Sequence, residues 1–391
     1  MSVCTGASAR VNLGAVARNC ERLRATLGEA QLCAVVKAGG YGHDARACAL
    51  AALEGGASRL AVASLREARE LDDVLVEQWA SVPVLVLGPV ADGDIEEAVF
   101  CRREIVIWDE DLIPGLREIG RDAQRPARVH VKLDTGMGRL GTRDPARASR
   151  IVEAALAAAP DVELVGLMTH FATADELGDE FFGEQLRRFT EWAEPIKGAH
   201  PGVVVHAANS AAVLRDPASH FDMARCGIAI YGLDPFGVDP SGHDLEPALE
   251  LVAPIADVKL CRAGESSGYG RRFVAAGDTH LGLLPIGYGD GWRRALSGEA
   301  EALIQGRRHP LVGTVSMDSV AVDLGPDPAA LALRGEPAVL IGTQGEQRIL
   351  AEDLARRLAT INYEITCGLG ARLRREIHRD GDRSVAPHLH S

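Results

Sequence analysis

Short apolar, β-branched runs recur along the first two thirds of the chain at intervals of about 20 to 40 residues. They fall at 33–36, 60–63, 84–87, 105–108, 129–133, 164–168 and 203–206, with an eighth at 221–226 or slightly later at 228–231. Between them lie Ala-, Leu-, Glu- and Arg-rich stretches with helical spacing, at 64–80, 146–158 and 181–197. Ser64 followed by Glu67 resembles a capping box and predicts a helix start just after the second strand. Strand and helix thus alternate eight times over roughly 230 residues, the rhythm of a TIM-type (β/α)8 barrel. A doubly wound open sheet is the structural alternative.

From about Pro247 the pattern changes. Strand-like runs at 252–260, 280–285, 301–304, 319–324 and 338–341 follow one another without long helices. Turn-rich segments at 266–270 and 287–291 separate them. The expected division is therefore α/β: a barrel over 8–245 and a mostly β domain over 246–385, joined near 239–247. A short helix is predicted at 351–358, and the tail at 385–391 is expected to be loose.

Composition narrows the class. Of 391 residues, 47% are apolar and 25% charged, as in a globular protein, and no apolar run approaches a membrane helix. The net charge of -13 makes nucleic acid and anionic membranes poor partners. The opening residues lack the charged start and apolar core of a signal peptide. Eight cysteines, at 4, 20, 33, 48, 101, 226, 261 and 367, contain no C-x-x-C pair. That argues against a disulfide framework or a zinc site and for a reducing cytoplasm. Of the 42 basic residues, only four are lysines, at 37, 132, 197 and 259. Lys37 and Lys132 each follow a strand-like run.

In a barrel, chemistry sits at the C-terminal ends of the strands, with phosphate held after the seventh and eighth. Lys37 closes the first barrel strand, Arg139 lies beyond the fifth, His170 closes the sixth, and Asn209 and Ser210 follow the seventh. If the eighth strand is 221–226, Arg225 ends it and Gly227 and Ile228 lie just beyond, which favours the earlier placement. Each residue has a plain structural alternative. A lysine at a strand end commonly snorkels, His170 could be a hydrogen-bonded core histidine, and Asn209 could simply cap a helix. An amine buried in a barrel mouth, however, loses basicity and becomes nucleophilic enough to form a Schiff base. The common location of these groups points to a site.

The segment Val35-Val36-Lys37-Ala38-Gly39-Gly40-Tyr41-Gly42-His43 resembles the cofactor-lysine motif of the alanine racemase family, pyridoxal-phosphate enzymes of the barrel type. Further segments match in order: Lys132-Leu-Asp-Thr-Gly-Met-Gly-Arg139, Thr169-His170-Phe-Ala, Asn209-Ser210, Arg225-Cys-Gly-Ile-Ala-Ile-Tyr231-Gly, Gly268-Tyr269-Gly270, Ile286-Gly-Tyr288-Gly-Asp-Gly-Trp292, Met317-Asp318 and Ile361-Asn-Tyr363-Glu. The resemblance covers the chain from Val11 to about Arg375.

The resemblance implies a racemase interconverting L- and D-alanine by a two-base mechanism and supplying D-alanine for peptidoglycan. Lys37 would hold pyridoxal 5'-phosphate and move a proton on one face of the substrate. Tyr269 would serve the other face, with His170 as the neighbour that lowers its basicity. Arg225 would face the pyridine nitrogen and disfavour its protonation. Tyr41, Asn209, Ser210, Gly227, Ile228 and Tyr363 would hold the cofactor, chiefly its phosphate. Arg139 and Met317 match substrate-carboxylate positions, and Asp318 and Tyr288 match the entrance. Lys132 matches a lysine that can be carbamylated, which turns a cation into an anion. No metal is implied. The family's pockets are shared between the subunits of a head-to-tail homodimer.

Three positions depart from the pattern. Gly39-Gly40 replaces the common Asn-Ala, Asp44 stands where a small glycine often follows, and Ser316 replaces a frequent cysteine. The glycine pair and Ser316 bear on strictness for alanine, so a racemase of another amino acid such as serine or lysine is the alternative. A non-catalytic pyridoxal-phosphate carrier needs only a barrel, and the second domain with Tyr269 argues against it. Related barrel decarboxylases carry an acidic residue where Arg225 stands.

Overall fold

Mostly apolar strands are covered on both faces when a closed ring of parallel strands is surrounded by helices. In the computed structural model, which describes residues 6–76 and 79–382, that ring is β2 (Gln31–Val35), β3 (Arg59–Val62), β4 (Val84–Val86), β5 (Glu104–Ile107), β6 (Ala127–Lys132), β7 (Val162–Met168), β8 (Val204–His206) and β9 (Met223–Cys226). Each pairs in parallel with the next, and β2 closes on β9. The first strand, β1 (Ser8–Asn12), stands outside the ring. The eighth barrel strand is the earlier candidate. Residues 228–231 instead form a 3-10 turn, Ile228–Tyr231.

The helices between strands follow their amphipathic patterns. Pro145–Ala157 starts behind Asp144, whose carboxylate accepts from Ala146 N at 2.9 Å. Phe181–Ala199 buries Phe182, Phe189 and Trp192. The stretch at 64–80 is shorter than its composition suggested: the helix runs only Leu65–Arg69, and turns follow.

The second unit is built on a ten-stranded sheet. Its further strands are β10 (Leu249–Pro254), β11 (Asp257–Cys261), β14 (Thr279–Leu284), β15 (Glu301–Ile304), β16 (Arg307–Val312), β17 (Val320–Gly325), β18 (Pro337–Gln344), β19 (Gln347–Ile349) and β20 (Arg374–His378), with a small hairpin, β12 (Ser266–Ser267) and β13 (Phe273–Val274), apart from it. The run expected at 252–260 is two strands, because the chain breaks its pairing at Ile255 and Ala256. The helix predicted at 351–358 is observed as Ala351–Arg357, and a further helix, Asn362–Cys367, follows.

Among the described residues, 16–40 and 45–230 cluster as one compact unit, while 6–15, 41–44 and 231–382 form the other. The reason is pairing: β1 lies antiparallel to β10 and parallel to β20, so it completes the sheet rather than opening the barrel. Among the described residues no helix is long and apolar enough to cross a membrane. Cys20, Cys33 and Cys226 are buried free thiols. Cys4 and the tail at 385–391 lie outside the described residues.

Candidate active site

The C-terminal mouth of the barrel gathers the predicted barrel residues. Lys37 stands two residues past β2 and opens a turn of the opposite hand to an α-helix: Ala38, Gly39, Gly40 and Tyr41 have φ of 53°, 61°, 64° and 53°. Each L-residue pays about 1–2 kcal/mol in that region, so the glycine pair relieves two of the four positions. The turn is clamped by Glu67, whose Oε1 accepts from Ala38 N at 2.8 Å and whose Oε2 accepts from Ala63 N at 2.7 Å. Only half of the expected capping box therefore forms. Ser64 Oγ accepts from Glu67 N at 3.3 Å, but the carboxylate ties the ends of β2 and β3 together instead of returning to its cap.

Arg225, the penultimate residue of β9, is the hub. Its Nη2 donates to the carbonyls of Thr169 at 2.8 Å and Ala207 at 3.0 Å and faces His170 Nδ1 at 3.2 Å, while Nη1 lies 2.8 Å from His206 Nδ1. Burial lowers its pKa to about 10. His170 is pushed well below the usual imidazole value by burial and by the cations Arg225, Lys132, Arg139 and Lys37. It is neutral near pH 7. Gln185, buried on the helix Phe181–Ala199, donates to Thr135 Oγ1 and to the His170 carbonyl and accepts from Ala172 N, which fixes the His170 loop.

Lys132 ends β6. Burial, Arg225 and Arg139 lower its amine to about 8, against the opposing pull of Asp134. Asp134 itself accepts from Gly136 N, Gly138 N and Arg143 Nε, so the loop that carries Arg139 is folded around one carboxylate. Arg139 is exposed.

Past β8 and β9 lies a nest of donors. Ser210 Oγ accepts from Gly227 N at 3.1 Å and Ala229 N at 3.3 Å. Asn209 caps its own helix, accepting from Ala212 N at 2.9 Å. The amides of Ser210, Ala211 and Ile228 donate to no group among the described residues, and all three residues are buried. Unpaired buried N–H groups are uncommon and mark a place where an anion can sit.

The remaining predicted residues belong to the sheet unit. Tyr41 packs on Tyr231 and Tyr363 with ring centroids 5.2 and 6.0 Å away, and His43 Nδ1 lies 3.0 Å from the Tyr41 carbonyl. Tyr269 is 74% exposed, on a turn held by Thr314 Oγ1 donating to its carbonyl at 2.7 Å. Tyr288 and Met317 are exposed too. The loops carrying them meet where Tyr288 N donates to Ser316 O and Gly289 N to Met317 O. Arg372 joins the same loops, pairing with Asp290 at 3.2 Å and Asp318 at 2.7 Å.

The sequence marks Glu67 only as a helix-start residue and does not single out Gln185, His206 or Arg372. Among the described residues no group of three or more His, Cys, Asp or Glu is placed to hold a metal ion.

Comparison with known proteins covers most of the chain. The model of the alanine racemase N-terminal domain matches residues 11–235, and that of the C-terminal domain matches 248–377. The alanine racemase of Symbiobacterium thermophilum is 41% identical over 368 residues, covering 94% of this chain and 96% of the relative. Among solved structures, the alanine racemase from Streptomyces coelicolor A3(2) superposes with a TM-score of 0.89 at 36% identity, over 96% of this chain and 98% of that one. The alanine racemase from Bartonella henselae, described with covalently bound pyridoxal phosphate, gives 0.83 at 27% identity, over 95% and 99%.

Proposed function

The chain belongs to the alanine racemase family, and from that premise we propose that it interconverts L- and D-alanine with pyridoxal phosphate at the barrel mouth. When bound, the cofactor supplies an electron sink that acidifies the substrate's α C–H bond. The donor set fits it. Lys37 offers the amine that would hold it, and the Ser210 hydroxyl with the unpaired amides of Ser210, Ala211 and Ile228 would take its phosphate. Arg225 would face the ring nitrogen. The roles that the resemblance gives Tyr41, Asn209, Gly227 and Tyr363 belong to the same proposal.

Lys37 takes the α-proton on one face or returns it, as a lysine can and an arginine cannot. Tyr269 serves the opposite face. Arg139, oriented by Lys132, holds the substrate carboxylate with Met317, and Tyr288 and Asp318 shape the entrance. Lys132 is carbamylated: burial lowers its amine to about 8, which leaves a neutral fraction near pH 7, and the cations Arg225 and Arg139 that depress it would welcome the anion. The observation that carries the whole reading is Arg225, a guanidinium fixed by Thr169, Ala207 and His206. A fixed cation opposes protonation of the ring nitrogen and so favours proton return over transamination.

Two copies share their sites head to tail, so that Tyr269 serves the Lys37 of a second copy. The exposure of Tyr269, Tyr288 and Met317 supports this, since large apolar side chains left uncovered mark interfaces. Buried free thiols favour a reducing, cytoplasmic setting.

The test supplies L-alanine to the cofactor-loaded protein and follows the enantiomers by chiral chromatography. Equal amounts of the two forms are expected, and faster turnover of serine or lysine would reassign the substrate. Mixing Lys37→Ala and Tyr269→Phe proteins should restore activity after subunit exchange, and no recovery would falsify the shared site.

A further inference from the structure

Inside the barrel a chain of polar groups runs from Arg225 on β9 to Glu104 on β5. Arg225 Nη1 is 2.8 Å from His206 Nδ1, His206 Nε2 is 2.8 Å from His130 Nδ1, and His130 Nε2 is 3.1 Å from Glu104 Oε2. Glu104, His130 and His206 have no exposed surface at all. A guanidinium only donates and an ionised carboxylate only accepts, so the two ends fix the polarity of everything between them. His206 Nδ1 must accept, which places its proton on Nε2. That proton is donated to His130 Nδ1, and His130 in turn donates from Nε2 to Glu104.

The anionic end is built as carefully as the cationic one. Arg59 Nη1 donates to Glu104 Oε2 at 2.8 Å, and Arg128 Nη2 forms an ion pair with Oε1 at 3.0 Å. Burial pushes the Glu104 carboxyl up, yet the His130 hydrogen bond and the cations leave it below its usual value, hence ionised. Burial lowers both histidines, hence neutral. Room for the relay comes from Gly166 on β7, where a Cβ would stand 2.4 Å from His130 Nδ1. The β6–β7 register also shifts between Val129 and His130. Burying so many polar groups is costly unless they are hydrogen-bonded, and the relay from Arg225 to Glu104 is linked end to end. Neither Glu104 nor His130 is among the groups that would hold cofactor or substrate.

We propose that Glu104 is a positioning residue for Arg225, acting through His130 and His206 to fix the tautomer that accepts from Nη1 and so to hold the guanidinium in place. This rests on the racemase reading above. Without the carboxylate, His206 can carry its proton on Nδ1, where it opposes an Arg225 N–H instead of accepting it. A displaced guanidinium no longer disfavours ring protonation, and the side reaction grows in which the substrate amino group passes to the cofactor. That reaction releases pyruvate and pyridoxamine phosphate in equal amounts, the amino acid being oxidised as the cofactor is reduced.

The experiment feeds L-alanine to the holoenzyme and measures pyruvate and pyridoxamine phosphate formed per D-alanine. In Glu104→Gln this ratio is expected to rise at least about fivefold, the effect of one lost buried hydrogen bond. Gly166→Ala, which crowds His130 from the other side, is expected to raise it as well, and Glu104→Asp, which keeps the charge, to raise it less. A residue that only supported the fold would slow racemisation without moving the ratio. A wild-type protein that does not racemise alanine would overturn the reading on which the relay rests. A racemising wild type with an unchanged ratio in Glu104→Gln and Gly166→Ala would overturn the relay alone. If Glu104→Gln does not fold, Glu104→Asp and Gly166→Ala decide on the same ratio.

Discussion

His206 accepts from Arg225 at 2.8 Å through one ring nitrogen and meets His130 at 2.8 Å through the other, so two fully buried imidazoles are held neutral side by side. Burial depresses both below the ordinary histidine value. The linkage then has a definite sign. The unfolded chain takes up protons at both positions below about pH 6.5, while the folded chain refuses them. Stability is therefore intact above that pH and declines as pH falls below it, by up to about 1.4 kcal/mol per pH unit for each histidine. Urea midpoints measured near neutrality and near pH 5 should differ accordingly, and equal midpoints would contradict a neutral pair.

Lys132 should react with carbon dioxide. Its amine, lowered to about 8, has a usable neutral fraction at physiological pH, and only the neutral amine adds carbon dioxide. Protein equilibrated with 13C-bicarbonate is expected to show one carbamate carbonyl resonance that disappears in Lys132→Arg. The same variant should weaken alanine binding more than maximal turnover, because the anion that orients Arg139 is lost.

Ser210 should matter to cofactor retention. Its hydroxyl accepts from the amides of Gly227 and Ala229, and Ser210→Ala leaves both donors unpaired. The expected rise in the pyridoxal phosphate dissociation constant is about tenfold, within the range for a buried polar group that loses its partner. Equilibrium dialysis reads it directly, and an unchanged constant would remove Ser210 from the phosphate site.

The barrel was legible because its strands are buried on both faces, and continuous apolar runs such as those around Leu60 and Leu85 have few other readings. The parts that stayed hidden are those fixed by partners distant in sequence. Ser8–Asn12 and Arg374–His378 are strands because they pair with each other, more than 360 residues apart, and the polar run Arg307–Val312 is a strand because two neighbours hold it. The site shows the same contrast. Lysine is so sparse that Lys37 and Lys132 stood out, and both reach the barrel mouth. Glu67 was legible as a helix cap, yet its carboxylate serves the Lys37 turn, which a local pattern cannot reveal. Glu104, His130 and His206 sit inside strands where a polar residue reads as an outward face, and only barrel closure turns them inward to meet. Gly39-Gly40, read as a departure from the family pattern, sits in a left-handed turn where glycine is the favoured residue.

The central claim is that this chain removes the α-proton of alanine and returns one on either face. Its most direct test is L-alanine in deuterium oxide with the cofactor-loaded protein. D-alanine carrying deuterium at the α-carbon is expected, formed until the two enantiomers are equal, with exchange abolished in Lys37→Ala. L-alanine that keeps its α-proton and yields no D-form would contradict it.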